Sequence, residues 1–142
     1  MKPDRDLLDK LKAVPLFGEL SDHELADLSG QGRIVDHEGG ADVVEAGGSA
    51  VGFHLILEGT ASVLQAGKLL AQLGPGDYFG EISLIDGKPR TATVRTDTAL
   101  RTFSITAWLF QPMLAHHPAL AHNLLLGLCA RLRAAEAKSP AL

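Results

Sequence analysis

The sequence predicts a mainly β domain with flanking helices, in which antiparallel strands close into a barrel or jelly roll. The hydrophobic period is helical at both ends of the chain and is two between Arg33 and Ile105. Glycine-containing turn signals recur at short intervals within that middle part. A chain of 142 residues is long enough for one real core. We therefore expect one domain, residues 1–138, followed by a flexible tail, 139–142.

Two helices are predicted ahead of the strands. The apolar residues of the segment Leu7–Val14 have helical spacing, and Pro15 then interrupts the pattern. Ser21 and Glu24 have the spacing of a capping box at the start of a second helix, and Gly30 lies where that helix should stop. The first thirty or so positions are therefore expected to be helical.

The middle of the chain reads as a series of short strands. In "GFHLILEGTASVL", residues 52–64, side chains at alternate positions share a character, and "TATVRTDTALRTFSIT", residues 91–106, is rich in β-branched residues. Many short strands joined by tight turns favour a closed roll over an open sheet.

The chain is expected to end in helices that begin near Ala107 and are divided by Pro112 and Pro118. Trp108 and Phe110 are predicted to belong to the core or to a dimer seam. His116 and His117 are expected to be exposed. A seam of apolar residues at spacings of three and four follows, consisting of Leu125, Leu128, Leu132 and Ala135.

Composition limits the possible functions. The net charge of −4 lacks the basic footprint of a nucleic-acid-binding protein. The single cysteine, Cys129, excludes an intramolecular disulfide and any cysteine-cluster metal site. No apolar run approaches the length of a membrane span, and the charged start does not resemble a signal peptide. These features predict a cytoplasmic protein without a cofactor.

The segment "DYFGEISLIDGKPRTATV", residues 77–94, holds the candidate chemistry. Gly80 allows a close approach of backbone and ligand, and Glu81–Ile85 is long enough for one or two helical turns whose first N–H groups lack partners. Such a helix start attracts an anion. Arg90 follows a rigid proline and can bind the same anion with two parallel hydrogen bonds, and Thr91 adds a hydroxyl donor.

Glu81 needs a different partner, because a carboxylate repels a phosphate. A ribose hydroxyl can donate to Glu81 while Arg90 neutralises a phosphate on the same sugar. The two residues are therefore predicted to bind opposite ends of one sugar phosphate.

This segment resembles the phosphate-binding cassette of cyclic-nucleotide-binding domains, which occur in catabolite-activator-type regulators, cyclic-nucleotide-dependent kinases and gated channels. "AVPLFGELSDHELADL" is similar to the family's leading helices, and "GGADVVEAGGSAVGFHLILEGTASV" to its paired-glycine strands. "GPGDYFGEISLIDGKPRTATV" matches the cassette in residue types and spacing, except that Ser83 stands where Ala or Gly is usual. The resemblance implies an antiparallel β-roll, or double-stranded β-helix, with N-terminal helices and C-terminal hinge and lid helices.

The resemblance also implies a ligand site for cAMP or cGMP, with cAMP favoured. Glu81 and the amide of Gly80 would bind the ribose 2′-hydroxyl. The residues implied at the phosphate are Ile82 and Ser83, through their amides, with Arg90 and Thr91. Those implied at the purine are Val63, Leu84 and, as a cap on the base, Arg131.

The function implied is a non-catalytic sensor that signals through movement of the C-terminal helix. Direct DNA binding is not expected, because the chain is acidic and no recognition helix remains before Leu142. Two contexts stay open: a stand-alone sensor with an effector protein, or the sensor part of a larger protein such as a transcriptional regulator. The alternatives are a β-roll module that dimerises without binding nucleotide, and a metal-dependent cupin, whose His-x-His pair "GFHLILEG" lacks.

Overall fold

The computed structural model describes residues 5–44, 52–86, 88 and 92–138. The helices are α1 (Arg5–Ala13), α2 (Asp22–Gln31), α3 (Glu81–Asp86), α4 (Ala107–His116) and α5 (Pro118–Lys138), with a 3₁₀ turn at Pro15–Phe17. The strands are β1 (Arg33–His37), β2 (Asp42–Val44), β3 (Gly52–Glu58), β4 (Ala61–Gln65), β5 (Lys68–Leu73), β6 (Tyr78–Phe79), β7 (Thr93–Thr96) and β8 (Leu100–Thr106).

The strands form two antiparallel four-stranded sheets. One has the order β1-β8-β3-β6 and the other β2-β7-β4-β5. In the first sheet Leu55 of β3 lies between Phe103 of β8 and Tyr78 of β6. In the second, Val63 of β4 lies between Val94 of β7 and Ala71 of β5. The predicted β-roll with helices at both ends is therefore confirmed.

One buried apolar cluster joins the two sheets, and we call it the roll core. It consists of Ile56, Ala61, Phe79, Val94 and Leu100, which come from both sheets. Side chains alternate between the faces of a strand, so the face of β3 that carries Ile56 also carries His54. That face looks into the roll.

The opposite face of β3 is apolar as well. The ring of Phe53 stacks on Phe110 of α4, with 4.7 Å between ring centroids, and Phe110 is fully buried as predicted. Trp108 does not belong to this core, because its side chain is 72% exposed, and of its two predicted locations only the dimer seam stays a prediction. Residues two positions apart on a helix point about 200° away from each other, so Trp108 and Phe110 cannot face the same surface.

The helices outside the roll form a second compact unit, made of the chain up to Ser29 and from Pro112 onward. Leu7, Leu11 and Val14 are buried, as their spacing predicts. The capping box of α2 is confirmed, since the backbone nitrogen of Ser21 donates to Glu24 Oε1 over 2.9 Å and the nitrogen of Glu24 donates to Ser21 Oγ over 3.1 Å.

The prolines and histidines near the C-terminus depart from prediction in two places. Pro112 does not end a helix, because α4 runs through it at the loss of one helical hydrogen bond. Pro118 begins α5, a position where its missing N–H costs nothing. His116 is exposed, but His117 is half-buried against Glu24. The predicted tail, 139–142, lies outside the described residues.

Candidate ligand-binding site

The site begins at a tight turn that is fixed to the first sheet. Gly74 donates to Asp77 Oδ2 over 2.8 Å, and the backbone nitrogen of Asp77 donates to the carbonyl of Gly74 over 3.0 Å. The same turn is bonded to β3, because Ile56 donates to the carbonyl of Asp77 and Gly76 donates to the carbonyl of Ile56, each over 2.9 Å. These bonds determine where β6 and the segment after it start.

Gly80 forms the corner between β6 and α3. Its φ is +93°, a conformation that side-chain-bearing residues rarely adopt. A Cβ atom at this position would overlap the carbonyl oxygen of Gly52 on β3. Only glycine therefore lets the backbone turn this tightly into α3 beside β3, and the predicted close approach of this backbone to a ligand stays a prediction.

Glu81 is the first residue of α3, and its side chain is only 1% exposed. A carboxylate that leaves water needs hydrogen-bond donors or a cation, because an unpaired buried charge is very costly. The first turn of a helix is also where a negative charge is most favourable. The predicted short helix is thus confirmed, and Glu81 lies where an acceptor for a ligand hydroxyl would be enclosed.

Three other predicted site residues lie in different surroundings. Val63 is half-buried and packs against the roll core, which includes Phe79, the residue before Gly80. Ile82 is 53% exposed on α3, which suits a contact through its backbone and leaves its side chain outside the core. Arg131 is exposed near the end of α5, in the helical unit.

Four further predicted site residues lie wholly or partly outside what the structure describes. Ser83 and Leu84 belong to α3, but their side chains lie outside what the structure describes, and Arg90 and Thr91 lie outside the described residues altogether. The structure therefore places Gly80, Glu81 and Val63 in the roll, and the ligand contact of every predicted site residue stays a prediction.

A row of four polar side chains, which the sequence did not reveal, crosses the first sheet, and we call it the histidine row. His37 Nε2 lies 3.1 Å from Thr102 Oγ1, which lies 2.9 Å from Ser104 Oγ, which lies 2.7 Å from His54 Nδ1. The ring of His54 also stacks on Phe79, with 5.0 Å between centroids. The only signal in the sequence was two hydroxyl residues two positions apart on β8, at spacing that places both inside the roll.

Two ion pairs occupy arginines of the roll. Arg101 Nε donates to Asp36 Oδ1 over 2.8 Å, and Arg95 Nε donates to Asp42 Oδ1 over 2.7 Å. The hydrogen bond from the arginine holds the pKa of each aspartate below its usual value. Both guanidinium groups are thus engaged by carboxylates.

Among the described residues, no three of His, Cys, Asp or Glu lie together as ligands of a metal ion would. No helix in the described ranges is both long and apolar enough to cross a bilayer.

Comparison with known proteins gives the family. The chain belongs to the cyclic nucleotide-binding domain family, whose sequence profile matches residues 34–117. It is 36% identical over 107 residues to the cAMP-dependent protein kinase regulatory subunit of Eremothecium gossypii, an alignment that covers 75% of this chain and 23% of that protein. The resemblance predicted from the cassette is confirmed.

Solved structures agree. The catabolite activator protein of Thermus thermophilus is 26% identical with a TM-score of 0.79, over 89% of this chain and 62% of that one. The N-terminal domain of a transcriptional regulator from Streptomyces coelicolor is 30% identical with a TM-score of 0.70, over 89% of this chain and 94% of that one.

The chain spans less than a third of the length of the curated relatives that it matches. A domain of this family is a regulatory module that is itself non-catalytic, and its ligand is a cyclic nucleotide.

Proposed function

We propose that residues 1–138 form a cytoplasmic sensor that binds a 3′,5′-cyclic nucleotide, cAMP in preference to cGMP. The observation that carries the proposal is the buried carboxylate of Glu81 at the head of α3, directly after Gly80, whose φ is +93°. A carboxylate enclosed in this way can accept a charge-assisted hydrogen bond from a ribose 2′-hydroxyl, and it can offer nothing to an anion.

The phosphate end of the ligand is assigned to Arg90 and Thr91, with the backbone amides of Ile82 and Ser83. All four lie within the segment 34–117 that matches the family. The pairing of Arg95 and Arg101 with aspartates supports Arg90 as the cation that meets the phosphate. A guanidinium can place two parallel N–H groups on one phosphate, which a lysine cannot.

The purine is assigned to Val63 and Leu84, with Arg131 as a cap on the base. We propose that binding moves the C-terminal helix and that this movement carries the signal, because a ligand shifts a conformational equilibrium only through contacts that differ between the two states. The likeness to the Thermus and Streptomyces regulators supports a role as the sensor part of a transcriptional regulator.

Calorimetric titration tests the proposal. Wild type is titrated with cAMP, cGMP and the acyclic 5′-AMP, and the same titrations are repeated with Arg90→Ala and Arg101→Ala. We expect cAMP to bind most tightly, Arg90→Ala to weaken it at least about 100-fold through loss of a bidentate charged contact, and Arg101→Ala to leave it within about threefold, as expected of a surface pair.

Arg101→Ala is the matched control because it also removes one guanidinium from the roll, at a position with no assigned ligand contact. Absence of heat with either cyclic nucleotide would contradict the proposed function. Binding that survives Arg90→Ala unchanged would contradict the assignment of the phosphate site while leaving nucleotide binding standing.

A second candidate function has one observation in its favour. Leu125 and Leu132 are 60% and 61% exposed on α5, and Leu126 is exposed beside them. Large apolar residues clustered on one helix suit an interface with another chain. A dimerisation module that binds no nucleotide would keep this surface and give no heat in the titrations above.

A further inference from the structure

Counting the available protons shows how the three hydrogen bonds of the histidine row can be formed. Its three hydrogen bonds need three protons, of which the hydroxyls of Thr102 and Ser104 supply two. One of the two facing nitrogens, His37 Nε2 or His54 Nδ1, must therefore carry the third, and the other must accept. The state of one ring dictates the state of the other across two strand pairings.

The row also limits how many protons the two rings take up. An imidazolium ion donates from both nitrogens, so two charged rings would bring four protons to three bonds. One hydroxyl proton, from fully buried Thr102 or half-buried Ser104, would then have no acceptor within the row. An unsatisfied buried donor costs about 1–3 kcal/mol. The row therefore disfavours two charged rings at the same time, and we expect the two histidines to share at most one extra proton.

The His54 end of the row faces the corner that starts the ligand site. The Cδ2 atom of His54 lies 3.6 Å from where a Cβ on Gly80 would stand, and Nε2 lies 3.8 Å from where a Cβ on Gly52 would stand. Phe79, the residue before Gly80, stacks on the same ring. The imidazole thus packs against the backbone from which α3 and Glu81 begin.

We propose that His54 is a positioning residue for the ligand site: the histidine row sets which of its nitrogens carries a proton, and the ring thereby sets the corner at Gly80 that presents Glu81. The proposal rests on the proposed function in that this corner holds the nucleotide. His54 itself need not touch the ligand.

The charges around the row lie at its two ends. At the His37 end are Asp36 and Arg101, which are paired with each other, and at the other end Glu81 follows Gly80, beside which the ring of His54 lies. Burial lowers the pKa of His37, and the charge of Asp36 opposes that effect. Neutral His37 is thus favoured in the folded protein, as the proton count requires when His54 holds the extra proton.

Nuclear magnetic resonance of the ligand-free protein tests the row. Ring nitrogens of His37 and His54 and the amides of Gly80 and Glu81 are followed from about pH 8 to about pH 5. In wild type we expect opposite states at the two facing nitrogens, uptake of one proton by the pair, and movement of both amides with the same midpoint. Thr102→Val cuts the row at its centre, and we expect two independent histidine titrations with a shifted midpoint at the amides.

Nucleotide binding supplies the second readout. His54→Leu is expected to weaken cAMP binding about tenfold, because it removes the hydrogen bond with Ser104 that holds the ring beside Gly80. We expect the cAMP affinity of wild type to change between about pH 8 and about pH 5 as the histidine row takes up a proton. His54→Asn, whose amide can replace Nδ1 toward Ser104, should bind cAMP as tightly as wild type, but its affinity should not change over this pH range. The matched control is Ser62→Ala. It removes a buried hydroxyl on β4, in the other sheet, that donates to Asp97, and it should change neither the affinity for cAMP nor its pH dependence.

The outcomes separate the two proposals. If wild type binds no cyclic nucleotide, the proposed function fails, and the ligand-free spectra still decide the row. Simultaneous protonation of both rings in wild type would overturn the row. The positioning role would be overturned if Thr102→Val left the pH titration of the Gly80 and Glu81 amides unchanged. It would also be overturned if His54→Leu bound cAMP with the affinity and pH profile of wild type. Ser104→Ala repeats the cut should Thr102→Val not fold.

Discussion

The imidazole of His117 hydrogen-bonds the carboxylate of Glu24, with 2.7 Å between Nδ1 and Oε2. The other oxygen of Glu24 accepts the backbone N–H of Ser21, so one carboxylate closes the cap of α2 and ties α2 to the residue before α5. Two hydrogen bonds hold the pKa of Glu24 below its usual value. The bond from the backbone of Ser21 has the larger effect, and the bond from His117 has the next largest.

This bond makes the helical unit sensitive to acid. The folded carboxyl binds a proton less readily than the unfolded one, whose pKa is near 4.5. Its contribution to stability is complete above that pH and is lost as the pH falls through the lower folded pKa. Urea unfolding at about pH 6 and about pH 3 should therefore show a smaller loss of stability in Glu24→Gln than in wild type. An equal loss in both would contradict the prediction.

Features of short range were predictable from the sequence. The capping box at Ser21, the apolar stripe of α1 and the short helix that begins at Glu81 depend on residues within a few positions of each other. The cassette is local for the same reason, because a turn, a glycine corner and a helix start follow one another in the chain.

Features that depend on pairing between distant segments were not predictable. His117 and Glu24 are 93 positions apart, and the histidine row exists only because β8 pairs with β1 on one side and β3 on the other. Periodicity gives the face on which Ser104 lies but not the residue opposite it. The expectation that Trp108 belongs to the core failed for a related reason, since the neighbours of α4 decide which of its sides is covered.

Gly80 and Gly76 form a matched pair for testing the corner. Their φ values are +93° and +91°, but a Cβ on Gly80 would overlap the carbonyl of Gly52, whereas nothing lies within 4 Å of one on Gly76. Gly76→Ala should cost about 1 kcal/mol for its backbone conformation alone. Gly80→Ala should cost at least about 2 kcal/mol more, because the backbone must also move.

Denaturant unfolding of both variants measures the difference, and titration with cAMP shows its effect on the ligand site. We expect Gly76→Ala to bind as wild type does and Gly80→Ala to bind at least about tenfold more weakly, the equivalent of 1.4 kcal/mol. Equal stability of the two variants would show that the close approach to Gly52 contributes nothing.

The role assigned to Glu81 can be separated from its effect on stability by changing the ligand. Wild type should bind 2′-deoxy-cAMP about 10- to 100-fold more weakly than cAMP, because the ligand has lost a hydrogen bond to a charged acceptor. Glu81→Gln should bind cAMP more weakly and should discriminate much less between the two ligands. The control Glu58→Gln, at an exposed position on β3, should discriminate as wild type does. Full discrimination by Glu81→Gln would place the ribose hydroxyl elsewhere.

The exposed seam of α5 predicts self-association. Leu125, Leu128 and Leu132 follow one another at spacings of three and four, and burying one leucine against a second copy is worth about 1.5–3 kcal/mol. Leu132→Glu should therefore sediment as a monomer at concentrations where wild type sediments as a dimer. Ala130→Glu adds the same charge on the other side of α5, because residues two positions apart on a helix point about 200° away from each other. This variant should remain dimeric. A wild type that is monomeric at every concentration would assign the leucines to a different partner.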